Sequence, residues 1–239
     1  MLKNSSHGDR LTDLTEQVKA FAKERGATLI GIASVNRFSE APQGHRPREF
    51  LPNAKSVISI GLKINKASVI GLPKTMREYK ISYDVTNMRL NSLAWETARF
   101  LEYLGYDALA IPASPPYDTK RNFGDISHKH AAAAAGLGRF GLNNLVLTLD
   151  YGPYMRFVTL ITSAPLKTDK PLRMNICLRE KCLKCVKACP PKALDKAIYN
   201  ATKGWAIDKE KCHKYLQVVS GDVCGLCIKA CPVAGRHAH

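Results

Sequence analysis

The sequence NICLREKCLKCVKACPPKAL, residues 175–194, places four cysteines within thirteen positions and follows the last one with a proline. Four more cysteines lie between residues 212 and 231, whereas the first 176 residues contain none. A disulfide framework would spread its bridges through a small secreted fold. A long cysteine-free segment followed by a dense cluster is typical of metal binding instead.

The spacing of these cysteines indicates which metal they bind. The pattern Cys-x2-Cys-x3-Cys-Pro occurs at 182–190 and again at 224–232, and each copy has one further cysteine upstream. In two-cluster ferredoxins the cysteine before the proline ligates the other cluster. We therefore predict two [4Fe–4S] clusters with exchanged ligands. One would be held by Cys177, Cys182, Cys185 and Cys231, and the other by Cys189, Cys212, Cys224 and Cys227.

Zinc is the alternative metal, because zinc sites built from four cysteines also use the x2 spacing. A zinc site has no reason to repeat the x3-Cys-Pro ending, so the clusters are favoured. Cys177 departs from the usual pattern, since the gap that follows it is x4 rather than x2.

Composition bounds the class of protein. The chain has 239 residues with 45% hydrophobic content, a formal net charge of +16 and a pI near 9.6, which favours an anionic partner or cofactor. The sequence contains no apolar run near 20 residues, and its start, MLKNSSHGDRLTDL, lacks the apolar core of a signal peptide. We therefore expect a cytoplasmic protein without a membrane span.

Hydrophobic periodicity predicts an α+β fold. Helices are expected at 11–25, 84–104 and 127–138, and strands at 28–34, 55–64, 106–112, 145–149 and 156–163. Helices and strands alternate without a regular βαβ period. We expect an α+β cofactor or substrate domain over residues 1–170 and a two-cluster domain over residues 171–239.

A glycine-rich stretch, AAAAAGLGRFGLNN at 131–144, is the most informative part of the first domain. Gly136, Gly138 and Gly141 are too close together to suit a helix, so the backbone there is expected to approach something closely. This arrangement suits a glycine-lined pocket beside a sheet. A tight crossover without a ligand would look similar.

The stretch also resembles a known family. The pattern Ala135-Gly-Leu-Gly-x-x-Gly-x-Asn143 is similar to the motif that precedes a paired cluster domain in epoxyqueuosine reductases. The segment from Tyr151-Gly-Pro to Pro165-Leu166 resembles the matching segment of reductive dehalogenases. Cys212-His-x-Tyr-Leu216 is also similar to a segment of the epoxyqueuosine enzymes.

The resemblance implies a cobalamin-dependent reductase. Its fold would be a nitroreductase-like, corrinoid-binding domain followed by a ferredoxin-like domain, whose two [4Fe–4S] clusters feed electrons to a base-off cobalamin. A flavin is the alternative cofactor on the same fold. The expected cofactor contacts are Gly136, Leu137, Gly138, Arg139, Gly141, Asn143, Tyr151, Gly152 and Arg156, with the two arginines suited to an anionic side group.

The sequence departs from the epoxyqueuosine reductases at the proton donor. Asn122 lies where those enzymes carry an aspartate, and an amide cannot serve as a general acid. Tyr117, which follows two prolines, and Asp125 are the titratable residues we expect to replace it. Asp125 could instead simply precede Ser127, the expected cap of the next helix.

We therefore predict an iron–sulfur oxidoreductase that reduces an organic substrate through cobalamin. Its expected partners are a reduced ferredoxin or flavodoxin as electron donor, and a tRNA or a corrinoid protein. The alternatives are an electron-transfer protein that reactivates another protein's corrinoid, a flavin-dependent reductase, and an RNA-binding protein.

Overall fold

The structure is a computed structural model that describes residues 7–114, 124–195, 198–200, 204–219 and 221–233. Within these ranges helices and strands are mixed along the chain. The α-helices are α1 (His7–Glu24), α2 (Pro47–Phe50), α3 (Lys66–Ile70), α4 (Met76–Tyr103), α5 (His128–Ala134), α6 (Lys184–Lys187), α7 (Lys209–Val218) and α8 (Leu226–Lys229). The strands are β1 (Leu29–Ser34), β2 (Ser56–Lys63), β3 (Ala108–Ile111), β4 (Arg139–Phe140), β5 (Val146–Leu147), β6 (Met155–Thr162), β7 (Ile198–Asn200) and β8 (Gly204–Ala206).

The chain divides into two compact units, each drawn from separate stretches of sequence. The first unit contains Met1–Leu62, Arg89–Leu137 and Phe157–Pro171, and the second contains Lys63–Met88, Gly138–Arg156 and Leu172–His239. The boundary between residues 170 and 171 that the sequence suggests stays a prediction.

The first unit is built on a four-stranded sheet with the strand order β1-β2-β6-β3. Strand β1 pairs with β2, and β3 with β6, both antiparallel. Alternate side chains on a strand point to opposite faces, and here both faces are buried. Ile32 and Ile58 join one apolar cluster with Val18 of α1 and Leu93 of α4, whereas Ala33 joins a second cluster. Helices and loops therefore cover both faces of the sheet.

The second unit contains a smaller core and the cysteine motifs. Two hairpins, β4–β5 and β7–β8, are antiparallel. Helix α8 packs against α6 and α3. Helices α3, α4 and α8 share a core that consists of Ile64, Val69, Leu72, Tyr79, Tyr154, Val223 and Ile228. The apolar residues of α3, α4 and α8 thus support the loops that carry the thiols.

Among the described residues, no helix combines the length and the apolar content that crossing a membrane requires.

Candidate iron–sulfur centres

The two cysteine motifs fold in the same way. Helix α6 follows Leu183, which has φ 48°, and helix α8 follows Gly225, which has φ 69°. Both residues therefore adopt the left-handed conformation between the first and second cysteine of their motif. The second residue of each four-residue helix is the second cysteine of the motif, Cys185 or Cys227. The repeat seen in the sequence is thus also a repeat of backbone structure.

The first set of thiols brings together both motifs. Cys177, Cys182 and Cys185 line one cavity together with Cys231, which belongs to the second motif. Burial raises the pKa of the Cys185 thiol to about 11, and the neighbouring Cys177 and Cys231 add to the effect. These four residues are the predicted ligands of the first cluster.

The second set centres on the most buried thiol. Burial raises the pKa of Cys227 far above its ordinary value, and Cys224, Cys212 and Cys189 contribute further, in that order. Cys185 of the first set also contributes, after Cys212 and before Cys189, so the two sets are electrostatic neighbours. Burial likewise raises the pKa of Cys224, with Cys189 as its thiol neighbour. Cys189 comes from the first motif, so this set also mixes the two motifs.

None of the eight cysteines is in a disulfide, and all eight are partly exposed. Within the described part of the chain, no three His, Cys, Asp or Glu side chains are grouped closely enough to hold a single metal ion. Two backbone N–H groups, of Leu142 and Arg179, donate to the Cys177 sulfur at 3.4 Å. Backbone N–H groups that donate to sulfur are typical of cysteines that ligate iron–sulfur clusters.

Gly136 and Gly138 are required by the packing of the protein on itself. Gly136 has φ 77°, and a Cβ there would lie 2.3 Å from the carbonyl oxygen of Lys170. A Cβ on Gly138 would lie 2.2 Å from the carbonyl oxygen of Leu147, across the β4–β5 hairpin. The close approach predicted from the sequence is present, but its partner is protein backbone.

The end of the glycine motif contacts the thiol segments. A Cβ on Gly141 would lie 2.9 Å from the Asn143 Oδ1 atom. The Asn143 side chain is buried, donates from Nδ2 to the carbonyl oxygen of Cys227 at 3.5 Å, and accepts from Leu145 N at 3.2 Å. Asn143 also lines the cavity of the first thiol set. It therefore touches segments of both sets, a role that its position in the motif did not suggest.

The two candidate arginines are engaged in contacts with the protein. Arg139 donates to the carbonyl oxygen of Arg173 at 2.6 Å. Arg156 donates from Nε to Asn87 Oδ1 at 2.7 Å, and its guanidinium lies 3.9 Å above the Tyr83 ring. These contacts orient both side chains without an anion.

The remaining predicted cofactor contacts are spread over both units. Leu137 packs with a core cluster of the first unit. Gly152 closes the turn after β5 through a bridge to Thr148. The Tyr151 ring lies 5.4 Å from the Lys63 ammonium, and Lys63 lines an open depression of about 700 Å³ along α4.

Of the predicted proton donors, Tyr117 lies outside the described residues, as does Asn122. Asp125 is exposed, and its backbone carbonyl contacts His45 Nδ1 at 2.9 Å. The expected cap Ser127 precedes α5, but its hydroxyl contacts His130 Nδ1 at 2.7 Å rather than a backbone N–H.

Sequence reasoning missed two tyrosines beside the thiols. Burial raises the pKa of Tyr79 well above its ordinary value, and Cys227 and Cys224 also contribute. Burial raises the pKa of Tyr154, with Cys231 as a further cause. Tyr79 lies about 100 residues before the first cysteine, so no motif pointed to it. Tyr154 directly follows the Tyr-Gly-Pro sequence at 151–153, and this position is the one sequence feature that could have indicated it.

The sequence is similar to two groups of reductases. No protein-family model matches the sequence. Tetrachloroethene reductive dehalogenase of Sulfurospirillum multivorans is 27% identical over 263 residues, covering 92% of the chain and 50% of the dehalogenase. Epoxyqueuosine reductase of Gloeobacter violaceus is 30% identical over 181 residues, covering 74% of the chain and 53% of that enzyme. The chain thus spans about half the length of these curated relatives.

Solved structures show the same two groups at the level of the fold. A reductive dehalogenase whose structure suggests a mechanism for B12-dependent dehalogenation superposes with a TM-score of 0.72 at 22% identity, over 97% of the chain and 33% of that structure. Epoxyqueuosine reductase with an epoxyqueuosine-modified tRNA stem loop gives a TM-score of 0.61 at 21% identity, over 95% of the chain and 68% of that structure. The mixed α+β fold is therefore shared with both. By sequence and by fold, the chain is a relative of the epoxyqueuosine reductases and reductive dehalogenases.

Proposed function

We propose that the chain binds two [4Fe–4S] clusters and passes electrons through them to a reductive reaction. The observation that carries this proposal is the composition of the two thiol sets, because each one takes three cysteines from one motif and its flank and one from the other. Exchange of the cysteine before proline is the pattern of two-cluster ferredoxins, whereas a zinc site needs four ligands around one ion.

The residues around the sulfurs suit this role. The Leu142 and Arg179 N–H groups, both 3.4 Å from the Cys177 sulfur, would donate hydrogen bonds to a cluster ligand at this position. Leu142, Leu147 and Val233 line the first cavity with apolar side chains that limit the access of water. Hydrogen bonds to sulfur and exclusion of solvent are the means by which proteins tune cluster potentials.

The proposed acceptor of these electrons is cobalamin, which the family resemblance implies and which would supply a strongly reducing metal centre when bound. The glycine motif does not fit it as a cradle, because backbone carbonyls already occupy the space beside Gly136 and Gly138. Arg139 and Arg156 also have protein partners. Among the predicted contacts, Tyr151 has the best support, since its neighbour Lys63 lines open space.

We also propose two domains within this fold. A nitroreductase-like domain over residues 1–170 would precede a ferredoxin-like domain over residues 171–239, in a cytoplasmic protein. Tyr117 or Asp125 would supply a proton to the substrate. Comparing Tyr117→Phe with Asp125→Asn tests this assignment, and the assignment fails if both variants keep full cofactor content and full turnover.

One observation favours a second function. Since the glycine motif is filled by protein, the chain could serve as an electron-transfer protein that reduces the corrinoid of another protein. Epoxyqueuosine reductase was solved with a tRNA stem loop, which supports tRNA as a partner of this chain in its reductase role. A flavin in place of cobalamin remains the other alternative.

Anaerobic purification followed by metal analysis and a visible spectrum separates these functions. Two clusters require about eight irons and about eight sulfides per chain. Titration with cobalamin and with flavin mononucleotide then identifies the acceptor. Stoichiometric zinc would overturn the cluster proposal. Full iron without affinity for cobalamin or flavin would select the electron-transfer protein.

A further inference from the structure

The cysteine loop of the first motif carries an unusual exposed surface directly over the first thiol set. Leu178 and Leu183 line the cavity that contains the four sulfurs, yet they are 43% and 37% exposed. Lys181, Lys184 and Lys187 are exposed on the same short segment. We call these five residues, Leu178, Lys181, Leu183, Lys184 and Lys187, the loop face.

The loop face is strongly basic. Residues 178–187 contain four cations and one carboxylate, Glu180. Within the described ranges, no ion pair involves Lys181, Lys184 or Lys187. Their charge is therefore available to an anionic partner. Clustered charge of one sign raises the rate at which an oppositely charged protein meets the surface.

Leu183 has a backbone conformation that does not favour a leucine at this position. Its φ of 48° lies in the left-handed region, which suits glycine better than leucine. The equivalent residue of the second motif is Gly225, beside which Leu72 and Tyr79 leave no space for a side chain. The first motif thus holds an exposed leucine in a position where glycine would be less strained.

We propose that the loop face docks a small acidic electron-carrier protein, which delivers electrons to the first cluster. The proposal rests on the cluster function proposed above. Exposed leucines surrounded by lysines match a small electron-transfer interface, with an apolar centre and a charged rim. In each encounter one electron leaves the reduced carrier and enters the cluster, while no bond is formed or broken and no proton moves.

A protein partner fits the loop face better than RNA does. Proteins that bind single-stranded RNA stack its bases on aromatic side chains. Residues 175–194 contain no Phe, Tyr or Trp, and the exposed side chains between the lysines are leucines. Binding of RNA to the loop face is therefore the alternative that the test must distinguish.

The test uses flavodoxin, an acidic flavoprotein, in its fully reduced form with the anaerobic, iron-loaded chain. Two variants are compared with the wild type: Leu183→Gly, which relieves the strain, and a triple charge reversal, Lys181→Glu with Lys184→Glu and Lys187→Glu. The matched control reverses Lys23, Lys55 and Lys167, three exposed lysines of the first unit that do not line the thiol cavity.

We expect the triple reversal to slow cluster reduction by flavodoxin at least about tenfold at low ionic strength, and salt should narrow the difference. Leu183→Gly should weaken flavodoxin binding about tenfold, because the apolar anchor is lost. The triple reversal should keep wild-type iron content and should accept electrons normally from a photochemical reductant, and the iron content of Leu183→Gly is measured beside its flavodoxin binding. The control triple should change the rate by less than about threefold.

Three other results would overturn the docking proposal. The first is that both variants contain iron, bind flavodoxin as tightly as the wild type and are reduced by it at the wild-type rate. The second is a control triple that slows the reaction as much as the loop-face triple does, because net charge alone would then be responsible. The third is loss of tRNA binding with unchanged flavodoxin binding, which would assign the loop face to RNA. Absence of iron in the wild type would instead refute the cluster function itself.

Discussion

The Cys231 thiol, which belongs to the second motif by sequence, lines the same cavity as Cys185 of the first motif. Cys231 also contributes to the raised pKa of Cys185. The second motif therefore contributes a thiol to the group around Cys185. This relationship gives a test of the ligand sets that needs no substrate.

Double substitution should reveal which cysteines share a cluster. Cys189→Ala should lower the iron content from about eight to about four, because the second set loses a ligand. Adding Cys224→Ala should remove little more iron, since both residues serve the same set. Adding Cys182→Ala should remove the rest.

Anaerobic iron and sulfide analysis of the three variants measures this pattern. The opposite pattern, in which Cys189 shares its loss with Cys182 and not with Cys224, would show that the motifs do not exchange a ligand.

Gly225 should tolerate no side chain. Gly225→Ala places a Cβ 2.8 Å from Leu72 and Tyr79 at a φ of 69°. The left-handed conformation costs about 1–2 kcal/mol and overpacking costs about 1–3 kcal/mol. Chemical denaturation of the iron-free chain measures the loss. Leu183→Gly at the equivalent position is the control and should change stability by less than about 1 kcal/mol, since relief of strain offsets the added freedom of the unfolded chain. Equal effects of the two substitutions would contradict the structural difference between the motifs.

Gly138→Ala should destabilise the protein whether or not a cofactor binds. Its Cβ would lie 2.2 Å from the Leu147 carbonyl oxygen, so the β4–β5 hairpin must shift at a cost of about 1–3 kcal/mol. Gly124→Ala is the matched control, because the nearest atom to its Cβ would be 3.9 Å away. Thermal unfolding of the iron-free variants compares the two. If Gly138→Ala has wild-type stability but reduced cobalamin affinity, Gly138 contacts the cofactor and is not required by the packing of the hairpin.

Asp208 should stabilise α7 in its ionised form. The carboxylate accepts from Lys211 N at 2.9 Å, and this hydrogen bond is the main cause that lowers the pKa of Asp208 below its ordinary 3.8. A lowered pKa in the folded state stabilises the protein above the unfolded value, and the gain is lost as the pH falls through the folded value. The melting temperature of Asp208→Ala should therefore lie below that of the wild type at pH 7, and the gap should close below about pH 4.

Asp208→Asn separates the charge from the cap, since an amide oxygen can accept the same hydrogen bond without titrating. Its advantage over Asp208→Ala should not depend on pH. A constant gap between the wild type and Asp208→Ala from pH 7 to pH 3 would contradict this explanation.

Local sequence patterns predicted the elements of the sheet well. The strands expected at 28–34, 55–64 and 156–163 are Leu29–Ser34, Ser56–Lys63 and Met155–Thr162, because continuous apolar runs suit strands buried on both faces. The helix expected at 84–104 instead begins at Met76. Its first turns are held by Tyr79, which packs with Val223 and Ile228 in the core of the second unit. That contact joins residues far apart in the chain, so periodicity alone could not locate the start.

The cysteines of the candidate site could be predicted from the sequence, but the contacts of its other residues could not, because those contacts join residues far apart in the chain. The cysteine spacing indicates metal or cluster binding directly, and the four thiols of the first predicted set line one cavity in the structure. The glycine motif indicated a close approach but not its partner, because Lys170 and Leu147 are recognisable as neighbours only in the folded chain. Likewise, an asparagine in a pocket motif did not indicate that Asn143 would bond to the Cys227 carbonyl.

Under the proposed ligand exchange, the order of synthesis also determines when each centre can be completed. The chain is made from its first residue onward, so Cys177, Cys182 and Cys185 are available long before Cys231. The second set becomes complete at Cys227, four residues before the first. Neither centre can therefore be assembled on a nascent chain in which only one motif has emerged from the ribosome. With these proposed sets, the second centre could be completed once residue 227 has been added, whereas the first would need residue 231 or a partly ligated cluster held until then.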